Sequence, residues 1–435
     1  MRASAVGLPA RQDARGTRRP FIHMLRELLT ALGVVVAFCC SAMLLIHVGY
    51  HYGSSGGSPL EKFHPASLLL CAAMVLLFVE CGPVATAESL FKHNKLSLIY
   101  LACIIYYTIY IVVILNRAST FVVDTLILPC FVFLLLQRTD DARLRQLAAI
   151  IHLVMAINAA IGITEVMFQW RLIPLYLEDE AVTFDWRATA LLGHPLSNAT
   201  LTALYALLLL TGLRGGLPRS LVWPAFALQL LALPAFGGRT ATVLLALGVC
   251  FWILRGALGT LLGQRFRLTT VLMLCFLVPL LGLGLSLAAE THYVTTFVDR
   301  FVNDEGSAET RVKMLSLFDH FSWGDLFIGP DQAMLSGLQI RVGVATGIES
   351  FVVAYILQSG IFAAGLVFIG LALFSIEIAR ALAWQAGVAL VVFFALNAGS
   401  TGLSSKGTGF VLFVAMLVAL ARANAIEERV VPRPE

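Results

Sequence analysis

Long apolar runs separated by short polar segments make up most of the chain. A helix that crosses a bilayer needs about 20 apolar residues, because every backbone polar group must be satisfied within the segment. Runs that approach or reach this length occur near 28–48, 66–86, 96–115, 120–136, 146–168, 195–213, 220–236, 239–254, 268–289, 348–373, 382–397 and 406–421. The pattern therefore predicts an all-α polytopic membrane protein with about twelve transmembrane helices.

The lengths of the connections divide the chain into segments. Most connections are short, but one long loop follows the predicted fifth helix and a longer one follows the ninth. The predicted order is a basic N-terminal segment 1–27, helices one to five in 28–168, a loop in 169–194, helices six to nine in 195–289, a large loop in 290–347, helices ten to twelve in 348–421 and a tail in 422–435. Pro234 and Gly237-Gly238 are predicted to break 220–254 into a helical pair.

Composition supports this class and excludes others. Hydrophobic residues make up 59% of the chain and charged residues 13%, whereas soluble domains are about half apolar and a quarter charged. The eight cysteines lie in or beside apolar runs without a CxxC pair, so we expect neither disulfides nor a zinc site. No glycine-rich phosphate loop is present. We expect no metal, no cofactor and no nucleic-acid partner.

The distribution of basic residues predicts an orientation. If the N-terminus is cytoplasmic, most of the 30 lysine and arginine residues fall in cytoplasmic connections, as the positive-inside rule requires. Both termini are then cytoplasmic, and both long loops lie on the opposite, outer side. No cytoplasmic connection is long enough to form a catalytic domain. Chemistry, if present, is expected on the outer side.

The first candidate motif is an arginine placed before a helix start. Arg187 precedes Gly193-His194-Pro195, and proline suits the first position of a helix. A helix N-terminus carries unpaired N–H groups and partial positive charge, so Arg187 beside it forms an anion site suited to phosphate. His194 is a supporting candidate. The alternative is an interfacial arginine beside Asp185 with nothing bound.

Two further arginines are predicted on the same side. Arg239 lies in a tight turn at the start of an apolar helix, where an ionisable group faces a cavity or a partner by default; the alternative is an interfacial anchor. Arg311 follows Glu309 in the large loop and precedes an amphipathic stretch expected on the membrane surface. For Arg311 the alternative is a loop salt bridge. Arg300 and Arg341 are weaker candidates.

A carboxylate at a helix mouth is the candidate acid–base group. Glu349 precedes a long apolar run, and a partly apolar setting can raise the pKa of a carboxyl group towards that of a general base. The alternative is a first-turn carboxylate that only favours the helix dipole.

Together these motifs resemble those of the bacterial O-antigen polymerase and ligase superfamily of integral membrane glycosyltransferases. The resemblance covers the topology and four local motifs: Arg187…Gly193-His194-Pro195, Gly238-Arg239-Thr240-Ala241, Arg311…Gly329-Pro330, and Glu349-Ser350 before Gly360. It implies a GT-C-like membrane fold in the bacterial inner membrane. It also implies that Arg187, Arg239 and Arg311 hold the diphosphate of an undecaprenyl-diphosphate-linked glycan on the periplasmic face.

One departure from the family bears on the activity. Ligases of the superfamily carry a histidine where this chain has Glu349. The leading hypothesis is therefore a polysaccharide polymerase that builds exopolysaccharide, capsule or O-antigen, with Glu349 as the base and a flippase and a chain-length regulator as candidate partners. The alternatives are an O-antigen ligase acting on lipid A–core and, in a different class, a twelve-span transporter.

Overall fold

The computed structural model describes residues 20–53, 56–177, 180–182, 187–263, 307–344 and 348–430. Within these ranges the chain is almost entirely helical. The helices are α1 (Pro20–Cys39), α2 (Ala42–His47), α3 (Pro65–Cys81), α4 (Pro83–His93), α5 (Lys95–Ile114), α6 (Thr120–Leu136), α7 (Asp141–Phe168), α8 (Pro195–Leu210), α9 (Arg219–Phe236), α10 (Arg239–Leu261), α11 (Ser307–Ser316), α12 (Trp323–Ile328), α13 (Gln332–Val342), α14 (Phe351–Ala381), α15 (Trp384–Ala398) and α16 (Gly409–Val430). Two-residue strands, β1 (Tyr176–Leu177) and β2 (Glu180–Ala181), pair antiparallel.

The prediction of an all-α membrane protein is confirmed at this coarse level. In the part of the chain that the structure describes, seven helices are long and apolar enough to cross a membrane, or eight if α3 and α4, which meet at a bend of 106°, form one broken span. The apolar helices α6, α8 and α15 are shorter. The predicted ninth span, 268–289, lies outside the described residues, as do segments 1–19 and 431–435. The count of twelve and the GT-C-like fold therefore stay predictions.

Contacts between distant connections join segments that were predicted on the same side. At one end, which we call the outer end, the Phe351 amide donates to the Ser400 carbonyl (3.0 Å) and Lys406 Nζ donates to the Tyr52 carbonyl (2.7 Å). At the other, the inner end, Arg26 bonds Glu80 (2.7 Å). The alternation of chain direction inferred from charge is thus consistent with the packing.

Helix α16 occupies the centre of the bundle, whereas α10 lies at its periphery. In the most apolar stretch of α16, 78% of the residues are buried, against 11% in α10. Phe393 of α15 stacks on Phe410 and Phe413 of α16 at centroid distances of 5.1 and 4.4 Å. Such aromatic pairs add to the energy of area burial and fix α15 against the central helix.

Helix α14 doubles back on itself at Gly360. This residue has φ +82° and ψ 159° inside the helix, a conformation that favours glycine. At 1.5 Å per residue, Phe351 and Phe368 lie about 13 Å and 12 Å along the helix from Gly360. Their rings are nevertheless 6.1 Å apart. Residues 351–359 therefore form a re-entrant leg, and the straight part of the predicted span 348–373 begins at 361.

The turn at Gly360 is held by the backbone of the large outer loop. A Cβ on Gly360 would lie 2.5 Å from atoms of Phe327 and Ile328, and one on Gly329 would lie 3.0 Å from Ser359. The Gly329-Pro330 and Gly360 motifs, distant in sequence, are thus in direct backbone contact. The two glycines allow the loop and the turn to approach this closely.

Candidate functional site

The Gly193-His194-Pro195 motif starts α8 as predicted. His194 has the extended backbone of a helix N-cap, and Pro195 occupies the first helical position. Gly193 has φ +76°, and a Cβ there would lie 2.3 Å from Ser41 Oγ. The glycine is therefore required both by its conformation and by the close approach of the residues that follow α1.

Two polar side chains of α7 hold the loop that leads into α8. Glu165 accepts hydrogen bonds from the amides of Leu172 (2.8 Å), Thr189 (2.7 Å) and Ala190 (3.0 Å). Asn158 Oδ1 accepts from the Leu191 amide at 3.0 Å. A buried backbone N–H without an acceptor is costly, so these contacts fix the loop. The sequence alone did not assign partners to Glu165.

The structure brings together the segments that carry Arg187 and Arg239. The amide of Ala188 donates to the carbonyl of Ala235 (2.9 Å) at the end of α9. Gly238 packs so closely against Ala199 of α8 that a Cβ would lie 2.3 Å from the alanine Cβ. Both arginines are half-buried, and the segments that carry them lie beside the first turns of α8. Arg239 starts α10, as predicted, whereas Pro234 lies inside α9 and does not end it.

The other arginine candidates belong to the large outer loop, and the structure describes them only in part. Arg311 lies on α11, but its side chain is outside the described residues, as is all of Arg300. Helix α11 packs through Met314 into a separate apolar cluster with Leu335 of α13. Arg341 is exposed near the end of α13. Of the predicted three-arginine site, the structure unites the segments of two members, and the role of Arg311 stays a prediction.

A cavity of about 250 Å³ opens on the other flank of the α8 start. We call it the recess. It lies between the first turns of α8, the end of α15, the connection from α15 to α16 and the residues after α1. Its polar lining consists of His194, Ser197, Thr200, Asn397, Ser400, Thr401, Ser405, Lys406 and Thr408.

Two of the helices that border the recess are short. Helix α8 has 16 residues and α15 has 15. At 1.5 Å per residue they rise about 24 Å and 23 Å, less than the roughly 30 Å of a bilayer core. If both helices fall short at their outer ends, the polar segments that adjoin them there lie at membrane depth. Irregular backbone is tolerated at such a depth only where it is buried or lines a cavity.

The electrostatics of the recess favour an anionic or hydroxyl-rich ligand. Leu196 and Ser197 at the start of α8, and Thr408 and Gly409 at the start of α16, all line it. The partial positive charges of two helix N-termini therefore meet at one cavity. Hydroxyl and amide side chains supply both donors and acceptors.

Lys406 lines the recess, but its ammonium group already has partners within the protein. It is therefore not a free cation for a ligand. Its ammonium donates to the carbonyls of Tyr52 and Lys62 and lies 4.2 Å from the centroid of the Tyr52 ring. Burial lowers the pKa of Lys406. Its charge thus anchors the loop after α2, although the residue also lines the cavity.

Glu349 lies beside the recess but is absent from its lining. The side chain is half-buried and precedes the re-entrant leg. The Phe351 amide donates to the carbonyl of Ser400, a lining residue. Tyr355 Oη donates to the Leu403 carbonyl (2.7 Å). The leg that follows Glu349 is therefore fixed to one wall of the recess.

A buried carboxylate that the sequence analysis missed lies next to a residue that fixes the same connection between α15 and α16. Asp124 of α6 is fully buried and accepts from Tyr52 Oη (2.9 Å) and Ser67 Oγ (2.6 Å). The next residue, Thr125, donates to the Ser405 carbonyl (2.9 Å) and accepts from the Gly407 amide (3.2 Å). An aspartate inside an apolar run was the available signal, since such groups are costly and need partners.

Comparison with known proteins assigns no family: no family model, curated protein or solved structure matches the chain. The geometry by itself describes a hydroxyl-lined recess with two converging helix N-termini. A pair of arginine-bearing segments lies on one flank and a carboxylate-bearing leg on another. Such a site can bind a phosphorylated, hydroxyl-rich molecule at the outer end and present it to a base.

Proposed function

We propose that the protein is a membrane glycosyltransferase that polymerises undecaprenyl-diphosphate-linked repeat units into exopolysaccharide, capsule or O-antigen. The observation that carries the proposal is the convergence on one helix start. The first turns of α8 have the Arg187 and Arg239 segments on one flank and the recess on the other. A lipid-linked glycan needs both environments, because its diphosphate is anionic and its sugars are rich in hydroxyl groups.

Each group then has a defined part in the transfer. An acceptor hydroxyl oxygen attacks the anomeric carbon of the donor sugar, and the bond from that carbon to the diphosphate oxygen breaks. Glu349 takes the hydroxyl proton, and Arg187, Arg239 and Arg311 stabilise the charge that develops on the departing diphosphate. The recess holds the sugars next to the reacting bond. Arginines suit this task because their planar donors match phosphate oxygens.

The proposal includes an orientation in the inner membrane, with both termini cytoplasmic and the recess facing the periplasm. A periplasm-active reporter fused after Asp325 should be active, and one fused after Arg214 should be inactive. The opposite pattern would place the recess on the cytoplasmic side and would contradict the proposal.

Gene deletion followed by analysis of the glycan tests the activity. Loss of a polymerase leaves single repeat units on the carrier or the core. Full-length chains stranded on the carrier would instead indicate a ligase, and an unchanged glycan would remove both transferase hypotheses in favour of a transporter. Complementation with Arg187→Ala should fail at normal protein level, whereas the inner-end control Arg145→Ala should restore polymer.

A further inference from the structure

A second cavity, which we call the side pocket, lies at the outer end and has a volume of about 90 Å³. It is formed by the loop after α5, the start of α13 and the end of the re-entrant leg. Its polar lining consists of Tyr107, Arg117, Gln332 and Gln358. Since one liquid water occupies about 30 Å³, the side pocket can admit a carboxylate-sized group but not a whole sugar ring.

Arg117 supplies only donors to the side pocket, whereas Tyr107 and the two glutamine amides supply donors and acceptors. Arg117 donates one guanidinium N–H to the Pro330 carbonyl (3.0 Å). The guanidinium group has four further N–H donors. The Gln332 Nε2 atom is fully buried without a hydrogen-bond partner among the described residues. Unmatched buried donors are destabilising, so an acceptor oxygen that reached this amide would stabilise it.

Helix polarity and local charge add to this preference. Gln332 is the first residue of the eleven-residue helix α13, whose N-terminal dipole favours an anion. Asp331, next to it, interacts electrostatically with Arg117 and caps the helix through the Met334 amide (2.9 Å). The exposed Asp331 carboxylate already accepts a backbone hydrogen bond from Met334. The Gln332 Nε2 atom, by contrast, has no hydrogen-bond partner among the described residues.

The re-entrant leg connects the side pocket to the recess. Phe351 at the start of the leg bonds the recess wall, and Gln358 near its end lines the side pocket. Seven helical residues separate them by about 10 Å. A glycan bound in the recess could therefore extend along the leg and place a substituent in the side pocket.

We propose that the side pocket binds the carboxylate of an acidic sugar, a uronate, in the glycan substrate. Arg117 and the Gln332 amide donate to the carboxylate oxygens, while the sugar ring stays outside the pocket. Charge-assisted hydrogen bonds of this kind are stronger than neutral ones. The identification of the ligand as a sugar rests on the proposed function, but the preference for a carboxylate rests on the donors alone.

Binding of simple glycosides to the purified full-length protein in detergent tests the proposal. Methyl glucuronide and methyl glucoside differ mainly at the carboxylate, so wild-type protein should bind the glucuronide about tenfold or more tightly. Gln332→Leu and Arg117→Met should each abolish this preference. The controls Gln339→Leu, on the same helix, and Arg145→Met, at the inner end, should retain it.

Equal affinity of the wild-type protein for the two glycosides would overturn the proposal, and this comparison needs no variant to fold. Acetate or phosphate binding as tightly as the glucuronide would show an anion site without sugar recognition and would equally overturn it. Because no transfer is measured, glucuronide binding by a protein that forms no polymer would refute the polymerase and leave the side pocket. Polymer formation without a glucuronide preference would refute the side pocket alone.

Discussion

The inner and outer ends of the bundle use buried charge differently. At the inner end, charged side chains pair with one another: Arg26 bonds Glu27 (2.8 Å) and Glu80 (2.7 Å), and His23 bridges Glu80 and Asp140 (2.9 and 3.0 Å). These pairs join α1, α3 and the start of α7. They hold these helices in register.

At the outer end, the charged groups instead hold loops. Glu165 accepts three backbone amides, Lys406 donates to two carbonyls and Arg117 to one. Groups that bond the backbone fix the path of irregular segments, and those segments form the recess and the side pocket. The comparison indicates that buried charges at the inner end stabilise the packing of helices, whereas those at the outer end set the shape of the two cavities. Variants at the two ends should therefore fail in different ways.

The largest effect is expected from breaking the inner cluster. The side chains of Arg26, Glu27 and Glu80 are 2%, 3% and 4% exposed. Removing Glu80 takes an acceptor away from both Arg26 and His23 and leaves buried donors unmatched, which costs about 3–5 kcal/mol. Glu80→Ala should lower the thermal stability in detergent severely. The control Glu88→Ala, at an exposed position on α4, should leave it unchanged; equal stability of the two variants would contradict the structural role.

The second effect concerns the turn of the re-entrant leg. Gly360→Ala places a Cβ 2.5 Å from backbone atoms of the outer loop at φ +82°. Strain of this kind, together with overpacking, costs about 2–4 kcal/mol. The control Gly365→Ala, in the same helix with no atom within 4 Å of the added Cβ, should be neutral or stabilising by about 0.5–1 kcal/mol. A Gly360→Ala protein as stable as this control would refute the doubled-back leg.

A smaller effect is expected at the recess wall. Thr125→Val keeps the side-chain shape but leaves the Gly407 amide without its acceptor and the Ser405 carbonyl without its donor. We expect a loss of about 1–2 kcal/mol and a lower rate of glycan transfer. Thr108→Val removes a hydroxyl that bonds only within its own helix (2.7 Å), so it should have little effect on either quantity. Equal transfer rates in the two variants would show that this wall of the recess does not contribute to glycan transfer.

The smallest effect is a dependence of stability on pH. His64 donates through Nε2 to the Cys40 carbonyl (2.6 Å) and accepts the Ala66 amide at Nδ1 (3.1 Å). Burial lowers the pKa of His64 from its ordinary 6.5, so the unfolded chain takes up a proton more readily than the folded one. Stability should hold above pH 6.5 and fall as the pH drops towards the folded-state pKa.

A substitution isolates this histidine from other titrating groups. His64→Gln should flatten the acid side of the stability profile, while His51→Gln, at an exposed position on the neighbouring loop, should keep the wild-type slope. A His64→Gln profile with the wild-type slope would assign the acid sensitivity to another group.

Local signals in the sequence predicted the parts of the site that depend on a few neighbouring residues. The His194 N-cap, Pro195 and the Arg239 helix start follow from the capping and turn preferences of those residues. The doubling back at Gly360 could not be predicted, because a glycine in an apolar run is common in membrane helices. Nor could the recess, which arises where the connection after α15 meets α8, a contact between segments some 200 residues apart.

Glycan elongation by the purified protein tests the central claim, that the recess is the transfer site. Thr200 lines the recess, whereas Thr164 is exposed on α7. In liposomes supplied with lipid-linked repeat units, wild-type protein and Thr164→Leu should produce a ladder of chain lengths. Thr200→Leu, which fills the recess, should leave single repeat units while the protein stays folded. A full ladder from Thr200→Leu, or no elongation by the wild-type protein, would contradict the claim.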